Sequence, residues 1–451
     1  MGKYNFDYII IGSGPAGSTA ALKLAKSKKR IAIVESRNLG GTNLNTRDIP
    51  YLINTNFSHA FSNLSKSPEI NGLDLHYNLP TLISHQENII SKINLQNQEL
   101  FNRPNITILN GHAHFIDNHT VAVGKDQYSA SNFIIATGSK LNTGQISGLE
   151  SVNYLTPETA IKLRRLPKFA LIIGGGPTGC ELAEYYAELG AKVIIMEQAN
   201  RLLPQEDEDT ANLITDYFVN ELGIMVVPNS KVVAIEQDNI SKRVIFSTSR
   251  QEKVVRIDCI ILATGSVPYT DIGLENADVK YKESGIVVNK LFQTSAKNIY
   301  AIGDCIGGKS STERAEYQAS ILAVNLLKKS KNIPNYTGFI DTINTYPEIA
   351  TIGLNESKLL ALKRKYKKSI IYLKDLPVSQ IENAEYSFIK ILTNHNNHIV
   401  GATIVSPNAS LIASELSLAM RHNLSILEIA STPHLINGPA YAIKLAVKNL
   451  I

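Results

Sequence analysis

The chain has 451 residues, too many for one hydrophobic core, so its length predicts two to four domains. A net charge of +5, from 45 basic and 40 acidic residues, gives little reason to expect a nucleic-acid partner. The three cysteines lie far apart and in no CxxC pattern, which argues against a disulfide scaffold or a cysteine zinc site and favours the cytoplasm. No apolar run reaches the ~18 residues of a membrane span, and no signal peptide precedes the first predicted strand.

Near its start, the chain predicts a strand, a glycine-rich turn, a helix and a second strand that ends on an acidic residue. In chain order these segments are residues 6–11, Gly12-Ser-Gly14-Pro-Ala-Gly17, residues 18–25, and residues 31–34 followed by Glu35. About 160 residues later the same design repeats. Its segments there are residues 169–173, Gly174-Gly-Gly176-Pro-Thr-Gly179, residues 180–189, and residues 192–196 followed by Glu197.

The context of these two glycine turns is informative. A GxGxxG turn alone is a weak signal, but each copy here lies between a strand and a helix, with an acidic residue about 20 positions on. Glycine permits the tight turn and lets backbone N–H groups approach a pyrophosphate at the helix N-terminus, and the carboxylate accepts hydrogen bonds from a ribose. The alternative is two glycine turns in an unrelated α/β protein. We expect two bound dinucleotides.

Two further β-branched strands stop at small-residue turns, as where a chain leaves one sheet for another domain. These turns are Ala136-Thr137-Gly138 and Ala263-Thr264-Gly265, and a later buried strand runs into Gly303-Asp304. After about Asn335 the pattern changes. It predicts antiparallel strands and helices typical of a separate α+β domain, with strands over residues 388–392 and 400–405 and helices over residues 410–422 and 440–450.

These ordered motifs resemble the pyridine nucleotide-disulfide oxidoreductase family, and within it the dihydrolipoamide dehydrogenases, over essentially the whole chain. The match also includes Leu39-Gly40-Gly41-Thr42 and Tyr346-Pro347-Glu348-Ile349-Ala350. The resemblance implies an α/β fold with two Rossmann-like dinucleotide-binding domains and a C-terminal α+β dimerisation domain that forms a homodimer. The expected boundaries are 1–148 and 265–336 for the FAD-binding domain, 149–264 for the NAD(P)-binding domain and 337–451 for the dimerisation domain.

The resemblance also implies the residues that bind FAD. They are Gly12, Gly14, Gly17, Glu35, Gly41, Thr42, Ala113, Thr137, Gly138, Asp304 and Thr312. The three glycines of the turn would receive the pyrophosphate, Glu35 the adenosine ribose and Asp304 the ribityl chain. Thr312 would place a helix N-terminus at the flavin pyrimidine, where its partial positive charge favours an anionic reduced flavin.

The second glycine turn would hold NAD(H). The residues implied there are Gly174, Gly176, Gly179, Glu197 and Gly265. Glu197 would repel the 2′-phosphate of NADP(H), and no arginine directly follows it, although Arg201 lies four residues on. We therefore expect NAD(H) in preference to NADP(H).

The chain departs from the family where the family keeps its redox-active cysteine pair. The family's turn continues as Cys-Leu-Asn-x-Gly-Cys-Ile-Pro-Ser-Lys, whereas here Asn43 and Asp48 fall at the cysteine positions and Leu52 at the lysine position. A thiolate must attack a substrate disulfide, and neither an amide nor a carboxylate can replace it. Glu181, which matches the lysine's ion-pair partner, remains and should be protonated or find another donor.

The family's C-terminal His-Pro…Glu pair is also absent from the pattern. The segment reads Thr432-Pro433-His434-Leu-Ile-Asn437-Gly438-Pro439, with the histidine displaced by one position and no carboxylate at either partner position. His434 is therefore either a displaced base or a surface or interface residue. Asp48 either relays a proton near the flavin or acts as a helix cap or as an ion-pair partner of Arg47. Buried packing is the expected role of the three cysteines, Cys180, Cys259 and Cys305.

Two functions remain open. The first is an FAD-dependent NAD(P)H oxidoreductase that passes electrons from the reduced flavin directly to a small non-disulfide acceptor, such as a quinone, oxygen or a second nicotinamide. Its candidate catalytic residues are Asp48, Glu181 and His434, and no metal ligands are predicted. The second is a flavin-loaded, non-catalytic binding or assembly protein derived from a disulfide reductase. The intact nucleotide motifs count against this second function.

Overall fold

The computed structural model describes residues 4–67, 75–238, 241–248, 251–382 and 384–451. The chain divides into two compact units. Met1–Asn54, Asn78–Asn142 and Gly265–Asn335 form the first unit, and Thr55–Tyr77, Thr143–Thr264 and Tyr336–Ile451 form the second. None of the described helices is both long enough and apolar enough to cross a bilayer.

The first half of the chain alternates strands and helices. Up to residue 142 the elements are β1 (Phe6–Ile11), α1 (Pro15–Leu24), β2 (Ile31–Glu35), α2 (Gly41–Asn45), α3 (Asp48–Lys66), α4 (Leu79–Phe101), β3 (Ile106–Asn110), β4 (Ala113–Asp117), β5 (Thr120–Val123), β6 (Asp126–Ile135) and β7 (Ser139–Leu141). From residue 143 to residue 264 they are α5 (Pro157–Ala160), β8 (Phe169–Ile173), α6 (Pro177–Glu188), β9 (Lys192–Met196), α7 (Glu208–Asn220), β10 (Met225–Val227), β11 (Ser230–Asp238), β12 (Ser241–Thr248), β13 (Glu252–Ile257) and β14 (Cys259–Leu262).

The remaining chain returns to the first unit and then completes the second. Residues 265–335 contain β15 (Ser266–Pro268), β16 (Tyr281–Lys282), β17 (Gly285–Ile286), β18 (Ile299–Ala301) and α8 (Thr312–Lys328). Residues 336–451 contain β19 (Ile340–Ile343), β20 (Glu348–Gly353), α9 (Glu356–Ala361), β21 (Lys367–Tyr372), α10 (Pro377–Glu382), β22 (Phe388–Thr393), β23 (Ile399–Ser406), α11 (Ala409–Arg421), α12 (Ile426–Ser431) and α13 (Tyr441–Lys448). Short 3-10 helices cover Leu149–Ser151, Leu274–Ala277, Gly303–Ile306 and Leu373–Asp375.

The first unit is built on a seven-stranded sheet that is parallel except for β5 and β4, which extend it beyond β6 in antiparallel pairing. Strands β3, β2, β1 and β6 lie side by side in that order, and β18 also pairs with β6 in parallel. Successive side chains of a strand point to opposite faces, so Ile9 and Ile11 join one apolar core and Ile10 joins the other. A parallel sheet covered on both faces requires such continuously apolar strands. The carboxyl ends of β1 and β2 carry the first glycine turn and Glu35.

The second unit contains a smaller parallel sheet of the same design. Its strand order is β10-β9-β8-β14, and the second glycine turn follows β8. The unit also holds a three-stranded antiparallel sheet, β11-β12-β13. Both parallel sheets place a glycine turn between the first strand and its following helix, as a Rossmann-like fold does.

The C-terminal part of the second unit is a five-stranded antiparallel sheet of order β19-β20-β23-β22-β21. Strands β22 and β23 are antiparallel, with Ile389 opposite Ile404, as the sequence predicts. Apolar residues of helices α11 and α13 share one core with these strands. The predicted fold class, two Rossmann-like domains and a C-terminal α+β domain, is confirmed, whereas the domain boundaries given above stay predictions.

Candidate functional site

The first glycine turn is closed to side chains at two positions and open at a third. Gly12 has φ +103°, and a Cβ there would lie 2.3 Å from the carbonyl oxygen of Ala136. A Cβ at Gly17 would lie 1.9 Å from the carbonyl oxygen of Gly12. At Gly14, by contrast, no described atom lies within 4 Å of such a Cβ. The turn is therefore tightly packed from inside and open where a pyrophosphate would approach.

The side chain of Glu35 is hydrogen-bonded to this turn. Its Oε2 accepts hydrogen bonds from the backbone N–H of Ser13 at 3.0 Å and from the Ser13 hydroxyl at 2.5 Å. Its Oε1 accepts from the backbone N–H of Arg37 at 2.9 Å. The backbone N–H of Gly111, two residues before Ala113, donates to the carbonyl oxygen of Glu35 at 2.8 Å. The residues predicted for the adenosine end of FAD therefore lie together.

The segment that contains Gly41 and Thr42 packs directly on the glycine turn. Gly41 has φ +66°, and a Cβ there would lie 2.7 Å from the Cα of Gly14. The side-chain amide of Asn45 donates to the carbonyl oxygens of Leu39 at 2.9 Å and Gly41 at 2.8 Å, which fixes this bend. The N-terminus of α2 therefore packs against the backbone of Gly14.

The other residues predicted to bind FAD lie at the carboxyl ends of β6 and β18. The Thr137 hydroxyl donates to the carbonyl oxygen of Tyr269 at 2.7 Å, and the carbonyl oxygen of Gly138 accepts from the Tyr269 N–H at 2.9 Å. Asp304 accepts a hydrogen bond from the Ser139 hydroxyl at 3.3 Å. Burial raises the pKa of Asp304, although Arg47 acts in the opposite direction. Together with the glycine turn, these residues fit a dinucleotide such as FAD.

Asn43, Asp48 and Thr312 form one hydrogen-bonded cluster. The Asn43 amide donates to Asp48 Oδ2 at 2.5 Å and to Thr312 Oγ1 at 2.7 Å. The Thr312 hydroxyl donates to the same Asp48 oxygen at 3.3 Å. Asp48 is the first residue of α3 and Thr312 the first of α8, so the carboxylate lies at two helix N-termini, where negative charge is stabilised. The two positions that resemble the family's cysteines are thus in contact.

The second glycine turn repeats the geometry of the first. Gly174 has φ +110°, and a Cβ there would lie 2.4 Å from the carbonyl oxygen of Ala263. A Cβ at Gly179 would lie 1.9 Å from the carbonyl oxygen of Gly174, whereas Gly176 again has no described atom within 4 Å of its Cβ position. These residues fit a second dinucleotide by the same test.

Among the described residues, backbone N–H groups hold the side chain of Glu197 at the second turn. Its Oε2 accepts from the N–H of Gly175 at 2.6 Å, and its Oε1 accepts from the N–H of Ala199 at 2.7 Å. Arg201 is directed elsewhere, because its Nη2 donates to the carbonyl oxygen of Glu206 at 3.1 Å. The predicted NAD(H) residues of this turn therefore lie together.

Glu181 has a hydrogen-bond donor that the sequence pattern did not reveal. Its Oε1 accepts from the backbone N–H of Asn344 at 2.8 Å and from the Asn344 side-chain amide at 3.3 Å. Of the two expectations for this glutamate, protonation or another donor, the structure supplies the second. Asn344 lies two residues before the Tyr346-Pro347 motif, close to a segment that the pattern singled out.

His434 also has a partner that the sequence pattern missed. Its Nε2 lies 3.1 and 3.2 Å from the two carboxylate oxygens of Glu415, and its Nδ1 lies 2.9 Å from the carbonyl oxygen of Thr432. This carboxylate comes from α11 and not from the segment that follows the histidine, where neither of the family's partner positions holds a carboxylate. Both ring nitrogens of His434 therefore lie within hydrogen-bond distance of an oxygen atom of the same chain.

All three cysteines are buried free thiols, as expected. Burial raises the pKa of Cys180 well above its usual value, that of Cys259 to about 11 and that of Cys305 to about 12. The Cys180 thiol donates to the carbonyl oxygen of Gly175 at 3.5 Å, and the Cys305 thiol to that of Ile302 at 3.2 Å. A protonated, buried thiol is a poor nucleophile.

The chain belongs to the pyridine nucleotide-disulphide oxidoreductase family. Residues 6–319 match the family's oxidoreductase model and residues 340–442 match the model of its dimerisation domain. Members of this family are flavin-dependent oxidoreductases that use a pyridine nucleotide, and the dimerisation domain supports a homodimer.

Curated relatives and solved structures agree with this assignment. A mercuric reductase of Lysinibacillus sphaericus is 30% identical over 435 residues, covering 95% of this chain and 79% of that protein. A dihydrolipoyl dehydrogenase of Staphylococcus aureus is 28% identical over 442 residues, covering 95% and 93%. The Cu(II) complex of the HOCl-induced flavoprotein disulfide reductase RclA from Escherichia coli has the same fold, with a TM-score of 0.89 at 23% identity and full coverage of both chains.

Proposed function

We propose that the chain is an FAD-dependent NAD(P)H oxidoreductase whose electron acceptor is a small molecule other than a disulfide. Among its possible acceptors are a quinone, oxygen and a second nicotinamide. The single observation that carries the proposal is the Asn43–Asp48–Thr312 cluster, which occupies the place where the family resemblance puts the redox-active dithiol.

The cluster supports this proposal because it is chemically unable to exchange with a disulfide. Disulfide exchange needs an attacking thiolate and a second thiol to release the mixed disulfide. The cluster offers an amide, a carboxylate and a hydroxyl instead. The three thiols elsewhere are buried, and burial raises the pKa of each.

The two glycine turns support the cofactor assignments. In the proposal FAD lies at Gly12, Gly14, Gly17 and Glu35, and NAD(H) lies at the turn that ends on Glu197. When bound, FAD accepts hydride from the nicotinamide and gives electrons to the acceptor. Preference for NAD(H) over NADP(H) follows from Glu197, which would repel a 2′-phosphate, and from Arg201, which donates to Glu206.

The chain's own residues then bind and orient the reactants and move a proton. Asp48 Oδ2 is already an acceptor for Asn43 and Thr312, so the carboxylate is fixed in position and its Oδ1 is the atom proposed to exchange a proton with the acceptor. Glu181, held by Asn344, is proposed to position the nicotinamide. His434, held by Glu415, is assigned an interface role in the homodimer and not that of a base.

Anaerobic stopped-flow mixing with NADH tests the proposal. We expect flavin absorbance to bleach within seconds, and reoxidation by a quinone or oxygen but not by lipoamide. Partial reduction should give no flavin–thiolate charge-transfer band, because that band requires a thiolate against the flavin. A flavin that stays oxidised would instead favour a non-catalytic, flavin-loaded binding protein.

A double variant provides a matched control. Asn43→Cys with Asp48→Cys places two thiols where α2 and α3 bring these side chains together. Partial reduction of this variant should produce the charge-transfer absorbance that the wild type lacks. Equal spectra in both proteins would show that positions 43 and 48 do not face the flavin. That result would contradict the proposal of a non-disulfide electron acceptor.

A further inference from the structure

A buried cluster of possible metal ligands lies in the second unit, outside the nucleotide turns. Helix α6 carries Glu184 and Glu188, four residues apart and hence on one face of the helix. Helix α3 contributes His59, whose Nδ1 lies 2.6 Å from Glu188 Oε1. One ligand atom from each of the three side chains can be chosen so that all three lie within 4.8 Å of one another.

Neighbouring groups hold the two carboxylates in place. Both oxygens of Glu184 accept from the backbone N–H of Tyr346, at 2.9 and 2.8 Å. Glu188 Oε2 accepts from the Ser58 hydroxyl at 2.6 Å. The rings of His59 and Tyr346 are in contact, with centroids 5.3 Å apart. Such outer contacts orient the ligands of metal sites and fix their geometry.

The cluster buries two carboxylates beside a single imidazole. Glu184 is fully buried, and the side chain of Glu188 is 2% exposed. His59 contacts Glu188, and the ammonium of Lys66 on the same helix as His59 donates to the carbonyl oxygen of Glu221. Two buried carboxylates are costly unless a cation lies against them.

In a second carboxylate cluster of the same unit, a buried lysine balances the negative charge. Asp207, Asp209 and Glu356 surround the fully buried ammonium of Lys390, with nitrogen–oxygen distances of 2.7 to 3.1 Å. Burial lowers the pKa of Lys390, but Asp207 and Asp209 more than offset this, so its pKa is raised. An internal cation occupies the centre of this cluster. In the part of the chain that the structure describes, the ion pairs of Glu184 and Glu188 include no lysine or arginine.

We propose that His59, Glu184 and Glu188 bind one divalent transition-metal ion of the zinc class. Two ionised carboxylates and a neutral imidazole balance a charge of +2. One nitrogen and two oxygen donors suit Zn²⁺, Mn²⁺ or Fe²⁺, whereas Mg²⁺ and Ca²⁺ prefer oxygen alone. The ion would tie α3 to α6, the helix that also carries Glu181.

Zinc titration of the tag-free, flavin-loaded protein tests this site. After treatment with a chelator and dialysis, isothermal titration with ZnCl₂ should show one site per chain, and MgCl₂ should show none. Zn²⁺ should also raise the melting temperature of the wild type. No saturable zinc binding to the wild type would overturn the proposal.

Variants locate the site. His59→Gln and Glu188→Gln should each weaken zinc binding at least about tenfold, and Ser58→Ala should weaken it roughly 10- to 100-fold through loss of ligand orientation. His85→Gln, at an exposed histidine, and Asp209→Asn, in the lysine-filled cluster, are matched controls and should bind zinc like the wild type. Wild-type affinity in both His59→Gln and Glu188→Gln would place any zinc elsewhere. Flavin reduction by NADH is measured in parallel, so failure of this site and failure of the proposed oxidoreductase are distinguishable.

Discussion

The two glycine turns of the chain have nearly the same backbone structure. In each, the first glycine has a left-handed φ and the third packs against the carbonyl oxygen of the first, with a Cβ approach of 1.9 Å at both Gly17 and Gly179. In each, a carboxylate at the end of the next strand accepts from the N–H after the first glycine. Backbone packing therefore dictates the shape of both turns.

The turns differ in how many side chains secure them. The Ser13 hydroxyl donates to Glu35 and accepts from the N–H of Gly40, and Ser18 donates to the carbonyl oxygen of Ser13. The second turn has Gly175 in place of Ser13, so Glu197 relies on backbone donors. The first turn is therefore more fully pre-organised, which lowers the cost of binding. That difference suits a cofactor that stays bound, and the second turn suits one that exchanges.

The largest effects are expected when the buried glycines acquire a side chain. Gly17→Ala and Gly179→Ala each push a Cβ into a backbone oxygen that cannot turn away, so each should lower the free energy of unfolding by about 1–3 kcal/mol or more. Gly17→Ala should also lose FAD, whereas Gly179→Ala should keep FAD and lose reduction by NADH. Flavin-to-protein absorbance ratios and stopped-flow reduction measure the two losses.

The open glycines are the control. Gly14→Ala and Gly176→Ala meet no described atom within 4 Å, so the free energy of unfolding of the ligand-free protein should hardly change. Their cofactors should still bind poorly, because the added methyl group blocks the pyrophosphate. Full FAD occupancy in Gly14→Ala would contradict the assignment of the first turn.

Next in size is the loss of the carboxylates. Hydrogen bonds to a charged group contribute about 1.5–3 kcal/mol, and 1.4 kcal/mol corresponds to a factor of ten. Glu197→Gln should therefore raise the NADH concentration for half-maximal flavin reduction about tenfold or more and reduce the discrimination against NADPH. Glu35→Gln should leave that concentration unchanged and speed the release of FAD. An unchanged ratio of NADH to NADPH in Glu197→Gln would remove the charge argument for NAD(H).

The sequence predicts these turns well because their causes are local. A strand, a GxGxxG turn and a helix follow one another within about 20 residues. Hydrophobic periodicity predicts the strand and the helix, and glycine spacing predicts the turn. The same holds for β22 and β23, whose pairing follows from two adjacent apolar runs. The boundaries of α1 and α6 differ from the prediction by a few residues, because proline begins each helix at its first turn.

The partners of the candidate site residues could not be predicted in this way. Glu415 lies on α11, 19 residues before His434, and Asn344 lies 163 residues after Glu181. The contact between Asn43 and Thr312 spans 269 residues. Hydrogen bonds of this kind arise from the tertiary fold, so no spacing rule in one sequence reveals them. The residue types in the sequence identify the candidate site positions, whereas tertiary packing determines which side chains they contact.

A smaller effect is expected from the side chain that distinguishes the turns. Ser13→Ala removes one hydroxyl that bonds to Glu35, at a cost of about 1 kcal/mol, and FAD should dissociate a few times faster. The reverse change, Gly175→Ser, does not test the same hydroxyl, because its Cβ would lie 2.5 Å from Cδ2 of the buried Leu202 and 3.1 Å from Cβ of Glu197. Release of FAD at the wild-type rate from Ser13→Ala would show that the hydroxyl adds no pre-organisation.

The smallest effect is expected at the residue after each turn's last glycine, where Ser18 and Cys180 make the same contact. The Ser18 hydroxyl donates to the carbonyl oxygen of Ser13, and the Cys180 thiol donates to that of Gly175. Cys180→Ser should therefore change the free energy of unfolding at pH 7 by no more than about 1 kcal/mol, the contribution of one hydrogen bond, and leave flavin reduction by NADH unchanged. A large loss of reduction would reveal a redox role for this thiol.

The pH dependence of the same variant tests the burial of the thiol. Burial raises the pKa of Cys180 well above its ordinary value of 9.0, so above pH 9 the unfolded chain ionises this thiol while the folded chain does not. The unfolded state then binds fewer protons, and the free energy of unfolding of the wild type falls by up to about 1.4 kcal/mol per pH unit. Serine does not titrate there, and Cys259 and Cys305 contribute equally to both proteins. Between pH 8 and pH 10 the free energy of unfolding, measured with urea, should therefore fall less in Cys180→Ser than in the wild type. An equal fall in both proteins would mean that the Cys180 thiol is solvated in the folded state.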